Sequence, residues 1–554
     1  MQKVMRNVAS LGALPLAALA AVGCSPKAKA PARPNFIVIM TDDHTMQAMS
    51  CYGGIMETPN LDRIASEGVR MDRCFVANSI SGPSRACILT GKYSHANGFT
   101  DNSRTFDGDQ QTFPKLLHDA GYQTAMIGKW HLNSDPQGFD YWSILKGQGE
   151  YYSPLFLEED GEHVVPGYVT DIITDKAIAF LETRDKSRPF AMLYYHKAPH
   201  RNWMPAQRHL GIYDDHVFPE PETLLDHYDG RGRAAREQEM MISRHMWPAW
   251  DLKLMDAGDL EMDYDKVVST GNANADDVRR ANDIESSAKR FQEAWRRMTP
   301  EERIRWNEAY APRIAEYRAI KDTASEETLT RWKYQQYMRD YCAVVKGVDE
   351  NVGRLLDYLE GTGELDNTVI IYTSDQGFYL GEHGWFDKRF MYEESQRTPM
   401  LVRYPHAIPA GTACDALAMN IDIAPTLLDF AGLEIPSDIQ GRSLKEVFSG
   451  HTPENWRDAV YYHYYEYPSW HSVKRHYGVR SERYKLIHFY NDVDEWELYD
   501  LWRDPHELCN VYEDPAYEVV REQMHKRLKE LQAEVGDTDP DETRMEWFSG
   551  ADKL

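Results

Sequence analysis

Residues 35–41 read NFIVIMT, and Asp42 and Asp43 follow directly. This run is short, apolar without alternation and rich in isoleucine and valine, which is typical of a strand buried on both faces of a parallel sheet. Three later runs share this form and also stop at polar residues; they cover residues 124–128, 190–196 and 368–374. Because ligands bind at the carboxyl ends of strands in open α/β sheets, we expect these polar ends to meet in one cleft.

Composition excludes several classes of protein. Acidic residues outnumber basic residues by 88 to 62 in a chain of 554 residues, which gives a formal net charge of −26. A general nucleic-acid binder needs basic surface, so this balance argues against one. An anionic substrate is still compatible, because a bound cation and a few basic side chains can reverse the sign inside one pocket. Seven cysteines are too few for a disulfide scaffold.

The N-terminus has the layout of an export signal. Lys3 and Arg6 precede an apolar run over residues 11–21, which is too short to span a membrane, and the segment ends in AVGC at Cys24. We expect residues 1–24 to be a lipoprotein-type signal with Cys24 lipidated, the alternative being an ordinary signal peptide. Residues 25–34 are rich in Pro, Ala and Lys and predict a tether. Its basic character favours a periplasmic protein anchored to the outer membrane, with cell-surface exposure as the alternative.

The remaining chain divides by composition. We expect an α/β catalytic domain over residues 35–440, interrupted at about 213–330 by a mostly helical insertion rich in Glu, Arg, Met and Trp. After residue 440, aromatic-rich runs predict antiparallel strands followed by a helix. Residues 441–554 are therefore expected to form a smaller α+β subdomain.

Two pairs of oxygen-bearing side chains end two of the predicted strands. Asp42 and Asp43 form the first pair, and Asp375 and Gln376 form the second. Taken alone, the first pair could be turn acids that cap a helix. Adjacent carboxylates repel unless a cation lies between them, and an all-oxygen set suits Ca²⁺ better than zinc, with Mg²⁺ as the second choice.

Residues 81–91, SGPSRACILTG, resemble the signature of type I sulfatases. Members of that family oxidise the first signature residue to formylglycine (3-oxoalanine), which here would be Ser81. Further matches are GKWH at 128–131, APH at 198–200, SDQG at 374–377, and GEHG at 381–384 followed by Lys388. The resemblance covers roughly residues 34–440 and implies an alkaline-phosphatase-like mixed sheet sandwiched by helices.

The resemblance also implies roles for these residues. Asp42, Asp43, residue 81, Asp375 and Gln376 would hold the Ca²⁺. Arg85, Lys129 and Lys388 would neutralise the sulfate oxygens while hydrated formylglycine attacks sulfur. His200 or Lys388 would protonate the leaving alcohol, and His131 would act as the base that lets sulfate depart. A serine-type member would need an anaerobic-type sulfatase-maturing enzyme as a partner.

Within the family, residues 90–99 and 381–395 resemble bacterial N-acetylglucosamine-6-sulfatases of the mucin-desulfating type. This likeness implies hydrolysis of a 6-O-sulfate on N-acetylglucosamine in host glycans. Candidate sugar contacts are Arg389, His471, Arg475 and His476, because sugars are held by polar side chains beside aromatic faces. A solvated strand face is the alternative for the last three.

Three other functions stay open at this stage. The chain could be a phosphomonoesterase or phosphodiesterase of the alkaline phosphatase superfamily that uses Ser81 directly. It could instead hydrolyse another sugar O- or N-sulfate, or bind glycans without turnover. The chemical state of residue 81 separates the first of these from a sulfatase.

Overall fold

The structure is a computed structural model that describes residues 33–261 and 287–538. The expected signal over residues 1–24, Cys24 included, and residues 25–32 of the expected tether lie outside the described residues. Within the described ranges, no helix combines the length and the apolar character needed to cross a membrane.

The strands are β1 (Asn35–Thr41), β2 (Val69–Met71), β3 (Cys74–Phe75), β4 (Gln123–Gly128), β5 (Tyr141–Leu145), β6 (Leu155–Glu158), β7 (Gly161–Val164), β8 (Phe190–Tyr195), β9 (Thr368–Ser374), β10 (Met400–Arg403), β11 (Thr412–Cys414), β12 (Ala418–Met419), β13 (Ala459–Tyr464), β14 (His476–Ser481), β15 (Tyr484–Phe489) and β16 (Glu495–Asp500).

The helices are α1 (Pro59–Ser66), α2 (Ser81–Thr90), α3 (Ser94–Asn97), α4 (Phe113–Asp119), α5 (Val169–Thr183), α6 (Arg233–Glu237), α7 (Ala257–Glu261), α8 (287–296), α9 (Pro300–Ile320), α10 (Glu326–Gly361), α11 (Glu393–Gln396), α12 (Ile423–Phe430), α13 (Lys445–Phe448) and α14 (Glu518–Val535).

Ten strands form the central sheet in the order β11-β2-β10-β9-β1-β8-β4-β5-β6-β7. The four strands predicted from apolar runs are neighbours, and they pair in parallel as β9-β1-β8-β4. Antiparallel β10 pairs with β9, and antiparallel β6 and β7 extend the other edge. The carboxyl ends of the four parallel strands therefore meet at one edge of the sheet, as the sequence predicted.

Both faces of this sheet are covered by helices. Successive residues of a strand point to opposite faces, so Ile37 and Ile39 pack in a core that includes residues of α1, α5 and α10. Val38 and Met40 pack in a second core that includes residues of α2, α4 and α12. Strand β1 is buried along its whole length because it lies between these two helical layers.

The C-terminal part forms a separate four-stranded antiparallel sheet, ordered β13-β14-β15-β16, against which α14 packs. The predicted fold class, a mixed sheet between helices with a smaller α+β subdomain, is confirmed. The stretch at 213–330 is helical mainly in its second half, through α8 and α9. Its described first half is dominated by turns, because Pro219, Pro221, Pro248 and several glycines interrupt helices there; residues 262–286 lie outside the described ranges.

Candidate active site

Helix α2 presents Ser81 at its first turn. All ten residues of this helix are buried, and the chain enters it from an extended residue, Ile80. The Ser81 hydroxyl donates to Asp42 Oδ1 at 3.0 Å. Gly82 is needed here, because a Cβ at this position would lie 2.7 Å from both Asn102 Oδ1 and the Phe99 ring. The signature thus forms a tightly packed helix start that fixes residue 81 beside the first acidic pair.

The two oxygen-bearing pairs follow adjacent parallel strands, β1 and β9, and lie together. The Asp43 backbone N–H donates to Asp375 Oδ1 at 3.2 Å, and Gln376 Nε2 donates to Asp43 Oδ1 at 2.5 Å. Gln376 Oε1 is buried and accepts no hydrogen bond from the described residues. Burial, supported by neighbouring Asp375, raises the pKa of Asp43 to about 6 despite the attraction of Lys388. This crowding of buried oxygens fits a hard cation.

Three cationic side chains surround the carboxylates. Arg85 donates to Asp375 Oδ2 through Nε at 3.2 Å and Nη2 at 3.0 Å. Lys129 Nζ donates to Asp42, and Lys388 Nζ lies 2.7 Å from Asp43 Oδ1. All three cationic residues are at most 3% exposed. Three buried cations this close together can stabilise a ligand group that carries several negatively charged oxygens.

Both predicted histidines also lie here. His131 follows β4 with φ of 57°, and its Nδ1 is buried without a hydrogen-bond partner in the described ranges. His200 binds the Arg201 carbonyl through Nδ1 at 2.7 Å, and its Nε2 lies 3.9 Å from Asp43 Oδ2. Burial first, and then the ammonium of Lys129, hold the pKa of both imidazoles well below the usual range. Both rings are therefore neutral at pH 7.

Part of this site opens on one cavity of about 550 Å³. Ser81, His131, His200 and Lys388 contribute to its lining. The other residues that line it include Asn102, Gln148, Glu150, Lys197, Arg201, Trp247, Trp250, Asp387, Arg389, Glu466, Trp470 and His471. The cavity thus combines a charged catalytic part with aromatic and hydrogen-bonding groups, which is typical of a sugar pocket.

Two of the four predicted sugar contacts line this cavity. Arg389 donates through Nε to Asp387 Oδ1 at 3.0 Å and through Nη1 to Glu466 Oε1 at 3.1 Å. His471 Nε2 lies 3.4 Å from Asp387 Oδ2. The φ angles of Asp387 (78°) and Arg389 (94°) are positive, and the three consecutive side chains 387–389 all reach the cavity.

The structure places Arg475 and His476 elsewhere. His476 is buried at the start of β14, where Nε2 accepts from the Met391 backbone N–H at 3.0 Å and Nδ1 donates to the Lys474 carbonyl at 2.8 Å. Arg475 is buried and donates through Nε to the Tyr467 carbonyl at 3.2 Å. Neither is among the described residues that line the cavity. The described contacts of both residues are internal to the fold.

Several lining residues were missed by sequence reasoning, among them Asp387, Lys197, Gln148 and Glu466. Asp387 directly precedes Lys388, and Lys197 precedes His200 by three residues, so both could have been found from the neighbouring motifs. Gln148 and Glu466 lie in segments without a motif. Only the folded chain brings these two to the cavity.

Comparison with known families identifies the class. The family model "Sulfatase" matches residues 34–433, and the model "N-sulphoglucosamine sulphohydrolase, C-terminal" matches residues 381–534. The chain belongs to the sulfatase family and is a sulfuric ester hydrolase with an alkaline-phosphatase-like fold. Sulfatases use a metal ion and formylglycine, and carboxylate oxygens of Asp42 and Asp43 lie within 4.8 Å of each other and of a His200 ring nitrogen.

Individual relatives indicate which kind of sulfatase this chain is similar to. The chain is 57% identical to the N-acetylglucosamine-6-O-sulfatase of Bacteroides thetaiotaomicron, over 100% of this chain and 96% of the relative. A solved structure in complex with its substrate D-glucosamine-2-N,6-O-disulfate is 58% identical, with a TM-score of 0.86 over 92% of this chain and 100% of that chain. The N-acetylglucosamine-6-sulfatase of Capra hircus is 25% identical over 93% of this chain and 86% of the relative.

Proposed function

We propose that this sulfatase hydrolyses the 6-O-sulfate of an N-substituted glucosamine at the end of a host glycan. The observation that carries the proposal is the 57% identity, along the whole chain, to an N-acetylglucosamine-6-O-sulfatase. The solved relative that binds a 6-O-sulfated glucosamine supports it. The described cavity, with hydrogen-bonding groups beside the charged part, is compatible with one sugar ring whose sulfate points inward.

Residue 81 is the proposed nucleophile, after conversion to formylglycine. Hydrated formylglycine has two hydroxyls, so that one attacks sulfur and the other later allows sulfate to be eliminated, which serine cannot do. The Ser81 hydroxyl lies 3.0 Å from Asp42 Oδ1, where a carboxylate can orient the attacking oxygen. Conversion removes two hydrogens, and we propose that an anaerobic-type sulfatase-maturing enzyme carries out this oxidation.

Asp42, Asp43, Asp375 and Gln376, together with residue 81, are the proposed ligands of a Ca²⁺. The three carboxylates, and the buried Gln376 Oε1 that has no partner in the described ranges, fit this ion better than Mg²⁺, which prefers to retain water. A bound Ca²⁺ would add positive charge next to the sulfate oxygens. Four of these ligands follow two adjacent strands, so the sheet sets their spacing, and the start of helix α2 supplies residue 81.

We assign the remaining roles from the positions of the charged side chains and of the groups that can donate or accept a proton. Arg85, Lys129 and Lys388 would neutralise sulfate oxygens in a buried site, where such contacts are strongest. His131, neutral and with Nδ1 lacking a partner in the described ranges, is suited to accept a proton as the base. The proton for the leaving alcohol would come from the Lys388 ammonium or from His200, and neutral His200 would first need a proton at Nε2.

Sugar recognition is assigned to the group formed by Asp387, Arg389, Glu466 and His471. Their side chains already hydrogen bond or ion pair with one another, so their positions are fixed before a ligand binds. Carboxylates and a guanidinium are suited to hold neighbouring sugar hydroxyls. Arg475 and His476 are not retained as sugar contacts, because their described contacts are internal.

We infer that the protein acts in the periplasm, anchored to the outer membrane through lipid on Cys24. The arguments are the layout of residues 1–24 and the basic residues 25–34. A Cys24→Ser variant is expected to leave the membrane fraction and appear in the soluble fraction. Variant protein that stays with the membrane would contradict the lipid anchor.

Two measurements test the proposed function. Matured enzyme should release sulfate from N-acetylglucosamine-6-sulfate faster than from 3-O- or 4-O-sulfated sugars, and the reverse order would contradict the 6-O assignment. Peptide mass spectrometry should show residue 81 about two mass units lighter than serine. Active enzyme with unmodified serine and phosphatase activity would favour the phosphoesterase alternative.

A further inference from the structure

Lys197 is a buried cation that has no part in the proposed catalytic mechanism. It follows strand β8, is 4% exposed and lines the cavity. Its Nζ donates to the Gln148 carbonyl at 3.3 Å and lies 4.9 Å from the centroid of the Tyr151 ring. Among the described residues, no carboxylate oxygen lies within 4.0 Å of this ammonium. An ammonium has three N–H donors, and this one has a single acceptor among the described residues. Burying it in this state costs free energy of folding unless a ligand supplies further acceptors.

Gln148 connects this lysine to the catalytic centre. Its side-chain oxygen accepts a hydrogen bond from Lys129, while its carbonyl oxygen accepts one from Lys197. The flanking Gly147 and Gly149 have φ angles of 56° and 72°, a backbone conformation that glycine adopts without strain. Gln148 thus contacts two buried lysine ammonium groups, of which Lys197 lines the cavity; of these two, Lys129 has a carboxylate partner, Asp42, and Lys197 has none among the described residues.

The charges near Lys197 do not provide it with an ion-pair partner among the described residues. Burial lowers the pKa of Lys197 to about 8, the carboxylates of Glu150 and Asp43 oppose this effect, and the Lys388 ammonium adds to it. The side chain therefore carries its charge at pH 7. Glu150 also lines the cavity, but it forms no ion pair with Lys197 in the described structure. A positive charge in this position is available to an anionic group of a ligand.

We propose that Lys197 binds a sulfate group of the substrate through its ammonium. This proposal rests on the proposed function and extends it by one residue that determines affinity or specificity. The sulfate could be the 6-O-sulfate that is hydrolysed or a second sulfate on the amino nitrogen. Both sources offer the same chemistry, which is a charge-assisted hydrogen bond in a buried site.

The test compares two probes, N-acetylglucosamine-6-sulfate and glucosamine-2-N,6-O-disulfate, with matured Lys197→Met enzyme. Contact with the 6-O-sulfate predicts that kcat/KM falls about 100-fold on both probes. Contact with the amino sulfate predicts a fall of at least about tenfold on the disulfated sugar and a much smaller one on the N-acetyl sugar. Lys197→Arg should recover part of either loss.

Binding separates this role from a structural one. In the inactive Ser81→Ala background, calorimetry should show a Kd raised at least about tenfold by Lys197→Met for one or both probes, with the melting temperature retained. Lys197→Gln, which keeps a donor for the Gln148 carbonyl, serves if the Met variant does not fold. Lys176→Met is the matched control, because Lys176 pairs with Glu158 and is outside the cavity lining.

Two results would overturn the proposal. Kinetic constants and Kd values within about twofold of the parent for both probes would remove Lys197 from substrate binding. If the wild-type matured enzyme hydrolyses neither probe, the proposed function fails first, and the substrate assumed for Lys197 fails with it. The wild-type assay therefore distinguishes the two failures.

Discussion

Charged side chains are buried in two regions of the protein: the catalytic centre, and the contact between helix α11 and the C-terminal sheet. Of these two regions, only the catalytic centre opens on the cavity. In the second cluster, Lys485 Nζ lies 3.0 Å from Glu393 Oε1 and 2.7 Å from Glu507 Oε1. Arg480 binds the Glu393 carboxylate through Nε and Nη2, at 3.1 and 3.2 Å. None of these four residues lines the described cavity.

The difference shows that buried charge alone does not mark a functional site. In the second cluster each positive group faces a carboxylate of the same fold, so the charges join the two parts of the protein. In the catalytic centre, Lys388, His131 and His200 line a cavity, and Lys197, which also lines it, has no carboxylate partner in the described ranges. Substitutions in the first region should therefore affect turnover, and substitutions in the second should affect stability.

The largest effect is expected from Ser81→Ala. It removes the residue that becomes formylglycine, so sulfate release should fall by at least about 10³-fold. The melting temperature should stay near that of the parent, because the contact with Asp42 and one proposed metal ligand are lost while the other four proposed ligands remain. Ser66→Ala, at the exposed end of α1, is the control. Turnover near the parent level in Ser81→Ala would remove residue 81 from the mechanism.

Removal of divalent cations is the second test of the catalytic region. Chelation should abolish most activity and lower the melting temperature, because an ion bound only by the folded state at about 100 times its Kd contributes about 2.7 kcal/mol. Ca²⁺ should restore both properties better than Mg²⁺. Full activity after exhaustive chelation would contradict a metal site at Asp42 and Asp375.

Lys485→Met tests the second region. It leaves Glu393 and Glu507 buried without their shared ammonium, which should lower the free energy of unfolding by about 3–5 kcal/mol. Activity per folded molecule should remain near the parent value, measured below the melting temperature. Lys526→Met on the outer face of α14 is the control, because the Lys526 side chain is 81% exposed. A specific loss of turnover without loss of stability would break the distinction between the two regions.

The smallest expected effect concerns pH. Burial raises the pKa of Glu507 to about 7, against the attraction of Lys485 and with help from Glu393. The folded state then holds this proton above the pH at which the unfolded chain loses it, so stability should fall as pH rises through the window from about 4.5 to 7, by at most about 1.4 kcal/mol per pH unit.

Glu507→Gln should reduce this slope, measured by denaturant unfolding at several pH values. A remaining slope is expected from Glu382, because burial, supported by Glu394, also raises the pKa of Glu382 to about 7. An unchanged pH dependence in the variant would show that Glu507 ionises normally in the folded protein.

Much of the fold could be predicted from the sequence because the strands are continuous apolar runs. The runs at 35–41 and 368–374 became adjacent parallel strands, and the acidic pairs that follow them lie together. The helical insertion was predicted less well. Its Glu- and Arg-rich composition suggested helix along its length, but prolines and packing against the core keep the described first half in turns.

The sequence by itself determined the sulfatase family, the sheet and the residues at the strand ends, since these depend on local hydrophobic runs and on short motifs. Tertiary structure alone decided which basic residues of the later segments face the cavity. Asp387, Lys388 and Arg389 all reach it because positive φ angles at two of them break the usual strand alternation, whereas His476 starts a regular strand with its side chain in the core. Side-chain direction depends on backbone turns and on neighbours distant in sequence, and composition does not record either.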